Sequence, residues 1–82
     1  MVHELKILPE YFELVSNGKK KFELRRNDRD YKVGDILILN EFNGVVLTGR
    51  YKRKEISYIF HGGTYGLEEG YCVLSLSGDF VN

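Results

Sequence analysis

The chain has 82 residues, enough for one small domain, and its 43% hydrophobic and 13% aromatic content, with six Tyr and five Phe, is sufficient for one compact core without disulfides or a structural metal. Twelve basic and twelve acidic residues cancel to a net charge of zero, which excludes the strongly basic class of nucleic-acid binder. A single cysteine excludes an internal disulfide, and no stretch approaches the roughly 20 apolar residues of a membrane span.

His3 to Leu8 reads as an opening strand, with Pro9 suited to the first position of a helix because its missing N–H would be unpaired there. The helix is expected at about residues 9–17, with Leu8, Phe12, Leu14 and Val15 as its apolar stripe, Glu10 favouring its dipole and Asn17-Gly18 as a left-handed stop. From Lys21 to Asn27 the residues alternate, which predicts a half-buried strand with Phe22 and Leu24 toward the core and Lys21, Glu23, Arg25 and Asn27 on the other face. Glu23 and Arg25 then stand roughly 6–7 Å apart on that face.

Asn27 to Gly34 is polar and reads as a loop. Gly34-Asp35 introduces Ile36 to Leu39, an apolar run typical of a strand covered on both faces. Asn43-Gly44, between Phe42 and Val45, signals a tight hairpin whose second strand returns antiparallel. On that strand Val45, Leu47 and Tyr51 share one parity, and Ile56, Tyr58 and Phe60 the other, so a bulge or bend is expected between Lys52 and Ile56. His61 to Gly70 holds four glycines and reads as a flexible rim across a barrel mouth. Tyr71 to Leu76 is the last strand, with Cys72, Leu74 and Leu76 on one side, and residues 77–82 form a loose tail. One early helix among several short strands predicts an α+β domain spanning 1–82 built on a small barrel.

The basic residues are unevenly placed. Lys19, Lys20, Lys21, Arg25, Arg26, Arg29 and Lys32 lie within fourteen residues, against three acidic ones, and Arg50, Lys52, Arg53 and Lys54 within five. A neutral chain can thus present a locally basic face. The second cluster, which includes Tyr51, either tracks a nucleic-acid backbone or protects an exposed strand edge by charge. His3 and His61 are too isolated to hold a metal, so no metal or cofactor is expected, and Cys72 between apolar neighbours reads as a buried, inert thiol. Gly62-Gly63-Thr64-Tyr65-Gly66 is not a phosphate loop, since no Gly-Lys-Ser/Thr follows. Met1 to Leu5, with His3 and Glu4, lacks the basic and apolar pattern of a signal peptide, and a soluble, cytoplasmic protein is expected.

Gly18, Lys20, Glu23 and Arg25 match a G-x-K-x-x-E-x-R pattern, and Gly34-Asp35 follows it before an apolar strand. In these positions the chain resembles the ASCH group of the PUA-like superfamily. His3-Glu4-Leu5-Lys6 and Asn27-Asp28-Arg29 are similar to a short, uncharacterised bacterial and phage branch of it. The resemblance implies a half-closed mixed β-barrel of about five to six strands with one helix after the first strand, and a partner that is RNA, a nucleotide or a nucleoside.

The residue chemistry is compatible with that implication. Lys20, Arg25 and Arg29 suit phosphate oxygens, Gly18 shapes the approach, Glu23 orients Arg25 or accepts from a base amino group, Asn27 adds base-edge hydrogen bonds, and Tyr65 offers a stacking ring. Strand periodicity alone favours a solvated face of Lys21, Glu23 and Arg25 with a weak exposed ion pair, and it is the family pattern that reverses this. Some ASCH-like relatives are amidohydrolases acting on an acylated cytidine, and others ribonucleases; in such an enzyme Lys20 and a glutamate, Glu23 first, would be the catalytic groups. The deacylating relatives carry threonine at the position of Glu23. A third alternative is an interaction protein without a nucleic-acid ligand.

Overall fold

The structure is a computed structural model that describes residues 1–78. Its elements are β1 (Val2–Ile7), α1 (Pro9–Ser16), β2 (Phe22–Arg26), β3 (Ile36–Phe42), β4 (Leu47–His61) and β5 (Tyr71–Ser77). The strands form one mixed sheet in the order β1-β3-β4-β5-β2, curled into a half-barrel around α1. β1 and β3 are parallel, joined through α1 and β2, and every other pair is antiparallel.

Burial alternates strictly along β1, β3 and β5, as strands with one face on a core require. Leu5, Ile7, Leu37, Leu39, Ile56, Cys72, Leu74 and Leu76 point inward onto Phe12 and Val15 of the helix and onto Tyr31. α1 begins at Pro9 with Glu10 in its first turn, and ends where Gly18 takes φ +80° after Asn17. Only Phe12 and Val15 of its stripe are buried; Leu8 and Leu14 lie at the surface, because an eight-residue helix on a curled sheet meets it along barely two turns.

Strand β2 reverses the side expected from its alternation. Phe22 and Leu24 are 46% and 54% exposed, whereas Glu23 is 4% exposed. β2 is an edge strand, so its outer side chains border an open seam, and the buried carboxylate is compensated by two cations beside it.

The β3–β4 connection is also longer than the tight turn predicted. Phe42 pairs with Leu47, leaving a four-residue loop in which the Asn43 side chain accepts from the amides of Val45 and Val46, both at 2.9 Å. Satisfying two loop amides from one Asx side chain favours the wider loop over a two-residue turn. The change of side expected between Lys52 and Ile56 does not occur there. β4 pairs with β3 residue by residue from Tyr51 to Glu55, Val45, Leu47, Tyr51 and Tyr58 are exposed while Ile56 is buried, and the two irregularities of β4 lie to either side. One spans Thr48 to Arg50, with Gly49 at φ +95°, and the other places an extra residue, Ser57, opposite β5, just beyond the predicted Lys52–Ile56 interval.

Residues 62–70 join β4 to β5 and are folded back on themselves, with Gly63 N donating to Leu67 O at 2.7 Å and Leu67 N to Thr64 O at 3.0 Å. Ser77, expected in the tail, pairs with Glu55 as part of β5, while residues 79–82 of that expected tail lie outside the described residues. Among the described residues no helix is long and apolar enough to cross a membrane.

Candidate functional site

β1 and β2 are the two edges of the half-barrel, and they face each other without pairing. The seam between them opens into a cleft of about 470 Å³ lined by Lys6, Ile7 and Leu8 from β1 and its exit, Tyr11 from α1, and Lys20, Phe22, Glu23, Leu24 and Arg25 from the β2 segment. Three of the four residues of the G-x-K-x-x-E-x-R segment therefore meet in one place.

Glu23 is the hub. One carboxylate oxygen accepts from Lys20 Nζ at 2.7 Å and the other from Arg25 Nε at 3.0 Å, with Arg25 Nη2 2.9 Å away. Lys20 Nζ also donates to the Phe22 carbonyl at 2.8 Å and sits 4.8 Å from the Phe22 ring centroid and 5.6 Å from that of Tyr11. Such cation–π placement between two rings adds to the ion pair. Arg25 reaches across the seam, donating from Nη2 to the Lys6 carbonyl at 2.9 Å, and Arg29 does the same from Nη1 to the Glu4 carbonyl at 2.9 Å. Arginine side chains thus cap carbonyls of the β1 edge where a closed barrel would have a neighbouring strand.

The remaining predicted residues lie apart from the cleft lining. Gly18 borders a separate hollow of about 340 Å³ with Lys20, Lys21 and Lys54. Asn27 follows β2 and donates its amide to Gly70 at 2.8 Å. Tyr65, at φ +50° and 95% exposed, lies on the β4–β5 connection with its ring 6.3 Å from Phe60. Lys6, Ile7, Leu8 and Tyr11 were not legible as site residues. Tyr11 carried the one usable signal, an aromatic next to the buried helix stripe rather than within it.

Two further polar clusters sit elsewhere. Glu41, buried on β3, receives Arg50 through both oxygens at 3.0 Å and the Thr48 hydroxyl at 2.6 Å, and Arg50 also pairs with Glu13 of α1 and lies over the Phe12 ring. The Arg50 hydrogen bonds hold the Glu41 carboxyl below its ordinary range, and the two carboxylates raise Arg50. Arg50, read from sequence as a candidate backbone contact or charged edge, is consumed in fastening helix to sheet.

Asp35 bonds His3 Nε2 at 2.8 Å, the Met1 amino group at 3.1 Å and the Lys32 amide at 3.0 Å, and its pKa is lowered to about 2, with the His3 bond the largest cause. His3 also packs edge-on against Tyr31. Burial raises the phenol of Tyr31 and the thiol of Cys72. Among the described residues no group of three or more His, Cys, Asp or Glu is placed to hold a metal ion.

Residues 2–76 match a family described as a domain of unknown function, DUF3850. The chain belongs to this family. A similar protein is the "Uncharacterized 12.9 kDa protein in GpA 3'region" of Escherichia phage P2, 51% identical over 49 residues that make up 60% of this chain and 45% of the phage protein. The match therefore spans under half the length of that relative.

Proposed function

We propose that the protein binds RNA or a nucleotide in the β1–β2 cleft, as the resemblance of its Gly18–Arg25 segment to ASCH domains of the PUA-like superfamily implies. Support comes from the convergence of two cations and two aromatic rings on a single cleft of about 470 Å³, within the range of small-ligand sites. Lys20 and Arg25 each retain donor capacity beyond the bonds they make to Glu23, Phe22 and Lys6, and a phosphate at the cleft mouth takes those donors. Tyr11 and Phe22 supply ring faces for a base.

Glu23 acts here as the holder of the two cations rather than as a reader of bases, since each of its oxygens already faces one. Arg29, Asn27 and Tyr65 serve a ligand longer than one nucleotide, running from the cleft along β2 toward the β4–β5 connection. The same Lys20 and Glu23 would be the reacting groups of an amidohydrolase or ribonuclease. Lys20 donates to the Glu23 carboxylate and the Phe22 carbonyl, an arrangement that suits a cation held in place for binding.

The test is an amide chemical-shift titration of the labelled protein with short single-stranded RNAs and with a panel of ribonucleotides. Shifts gathered at residues 6–11 and 20–25, weakening with salt by about 0.7 log units per phosphate contact for each tenfold increase, are expected. Silence with every RNA and nucleotide, or shifts confined to surfaces away from the cleft, would refute the proposal.

A further inference from the structure

Strand β2 carries a second recognition element that its side chains do not announce. In an antiparallel pair, successive residues turn their main-chain groups alternately toward and away from the neighbouring strand. Asn27 N donates to Gly70 O at 2.8 Å and Leu76 N to Lys21 O at 2.9 Å, so the odd-numbered residues of this segment bond to β5. Phe22, Leu24 and Arg26 therefore turn their N–H and C=O groups outward along the free edge. The Phe22 carbonyl confirms this, because Lys20 Nζ, a cleft-lining group, donates to it.

The flanking carbonyls on that edge are occupied, Phe22 by Lys20 at 2.8 Å and Arg26 by the Asp28 amide at 2.9 Å. Across the seam, Arg25 and Arg29 occupy the Lys6 and Glu4 carbonyls. Leu24 remains, in the cleft wall, with an N–H donor and a C=O acceptor side by side and no partner for either among the described residues. Addition of an extended peptide strand needs several successive free residues. One free donor–acceptor pair between two occupied carbonyls, beside two aromatic rings, fits a single planar group instead.

Resting on the nucleotide reading, we infer that the Leu24 main chain recognises the hydrogen-bonding edge of a nucleobase. Its N–H donates to a ring nitrogen or exocyclic oxygen, and its C=O accepts from the adjacent imino or amino N–H. All four standard bases carry an acceptor next to such a donor on their pairing edge, so this pair selects nucleobases as a class. Methylation of the ring nitrogen on that edge removes the donor or blocks the acceptor.

Hydrogen exchange in the free protein comes first. The Leu24 amide should exchange freely while those of Glu23 and Arg25 are protected; a protected Leu24, or protection that grows with protein concentration through pairing with a second copy, overturns the inference. The four ribonucleoside 5′-monophosphates are then compared with their N1-methyl purine or N3-methyl pyrimidine forms. The inference expects the Leu24 amide to become protected by the parent nucleotide and affinity to fall at least tenfold on methylation. Equal binding of parent and methylated forms overturns it while leaving the nucleotide reading in place, whereas no binding by any parent nucleotide removes both.

Leu24→Pro gives an independent check. It deletes an N–H that makes no ladder bond, a position where an edge strand tolerates proline. A folded Leu24→Pro protein that binds nucleotide as tightly as the parent also overturns the inference.

Discussion

Replacing Glu23 by Gln isolates the interaction on which the candidate site depends. The substitution keeps the shape of the side chain but removes its charge and turns one of its two acceptor oxygens into a donor facing Lys20 or Arg25. Glu23 is almost fully buried, while the Lys20 and Arg25 side chains are 16% and 23% exposed, so neither cation is rehydrated without moving. Hydrogen bonds to charged groups contribute about 1.5–3 kcal/mol, and partial solvent access of the cations places the loss near the lower end, about 2 kcal/mol. For a domain of this size that corresponds to a fall in Tm of about 8–16 °C. Thermal unfolding followed by far-ultraviolet circular dichroism measures it directly. Adding Lys20→Met to Glu23→Gln should recover part of the loss, because it removes one of the two stranded cations. A fall of under about 2 °C for Glu23→Gln would refute the description of a buried, doubly paired carboxylate and return these residues to a solvated face.

Other consequences can be checked in the same way. Arg50→Met should lower Tm more than Thr48→Val, since Arg50 alone links Glu41 on β3 to Glu13 on α1; thermal melts of the two variants give the order, and the opposite order would contradict the network. The Asp35 carboxyl, lowered from 3.8 to about 2, is ionised in the folded chain at pH values where the unfolded chain already binds its proton. Its stabilisation is therefore complete above pH about 4 and lost as the pH falls toward 2; urea unfolding across that window should show a steeper loss for the parent than for Asp35→Asn. Gly62→Ala should destabilise by about 2 kcal/mol or more, because the added Cβ would press on the main-chain carbonyls of Glu68 and Tyr71, which cannot rotate away; chemical denaturation tests this, and a neutral result would mean that the β4–β5 connection packs differently.

Local signals in the chain were legible in proportion to how local their causes are. Pro9 and Asn17-Gly18 bracket α1 because capping depends on a few adjacent residues, whereas the Ile36–Leu39 run, expected to be covered on both faces, buries only Leu37 and Leu39 and leaves Ile36 and Ile38 half-exposed on the outer face of the sheet. The switch of apolar side read along β4 was misleading, because Val45, Leu47 and Tyr51 lie exposed and the extra residue falls at Ser57, which turns Ile59 rather than Tyr58 toward the core. Strand β2 could not be oriented from alternation, which defines two faces without saying which turns inward. The more apolar face was the natural choice. It was overridden because Lys20, outside the strand, and Arg25, within it, make a buried Glu23 tolerable at a seam where Phe22 and Leu24 border open space. Pairs such as His3 with Asp35 and Glu41 with Arg50 join residues far apart or across an irregular ladder, where no periodicity records them.

The clustering of basic residues gave a misleading measure of how much positive potential is available. Within the segment from Lys19 to Lys32, Lys20 and Arg25 face Glu23, Arg29 caps a β1 carbonyl, Arg26 stacks over Tyr71 and bonds its hydroxyl, and Lys32 pairs with Asp30. Arg50 of the second cluster is likewise committed to Glu41 and Glu13. These cations act first as structural ties, and several of them stand where a closed barrel would use another strand. A half-barrel closed by arginines keeps an open seam with one main-chain pair exposed, whereas closure by strand pairing would consume Leu24 and erase the cleft. If a nucleotide is what this site takes, only cations with donors to spare, such as Lys20 and Arg25, are left to hold its phosphate. The salt dependence should then scale with one or two contacts, about 0.7 log units each per tenfold salt, and not with the seven basic residues of the segment.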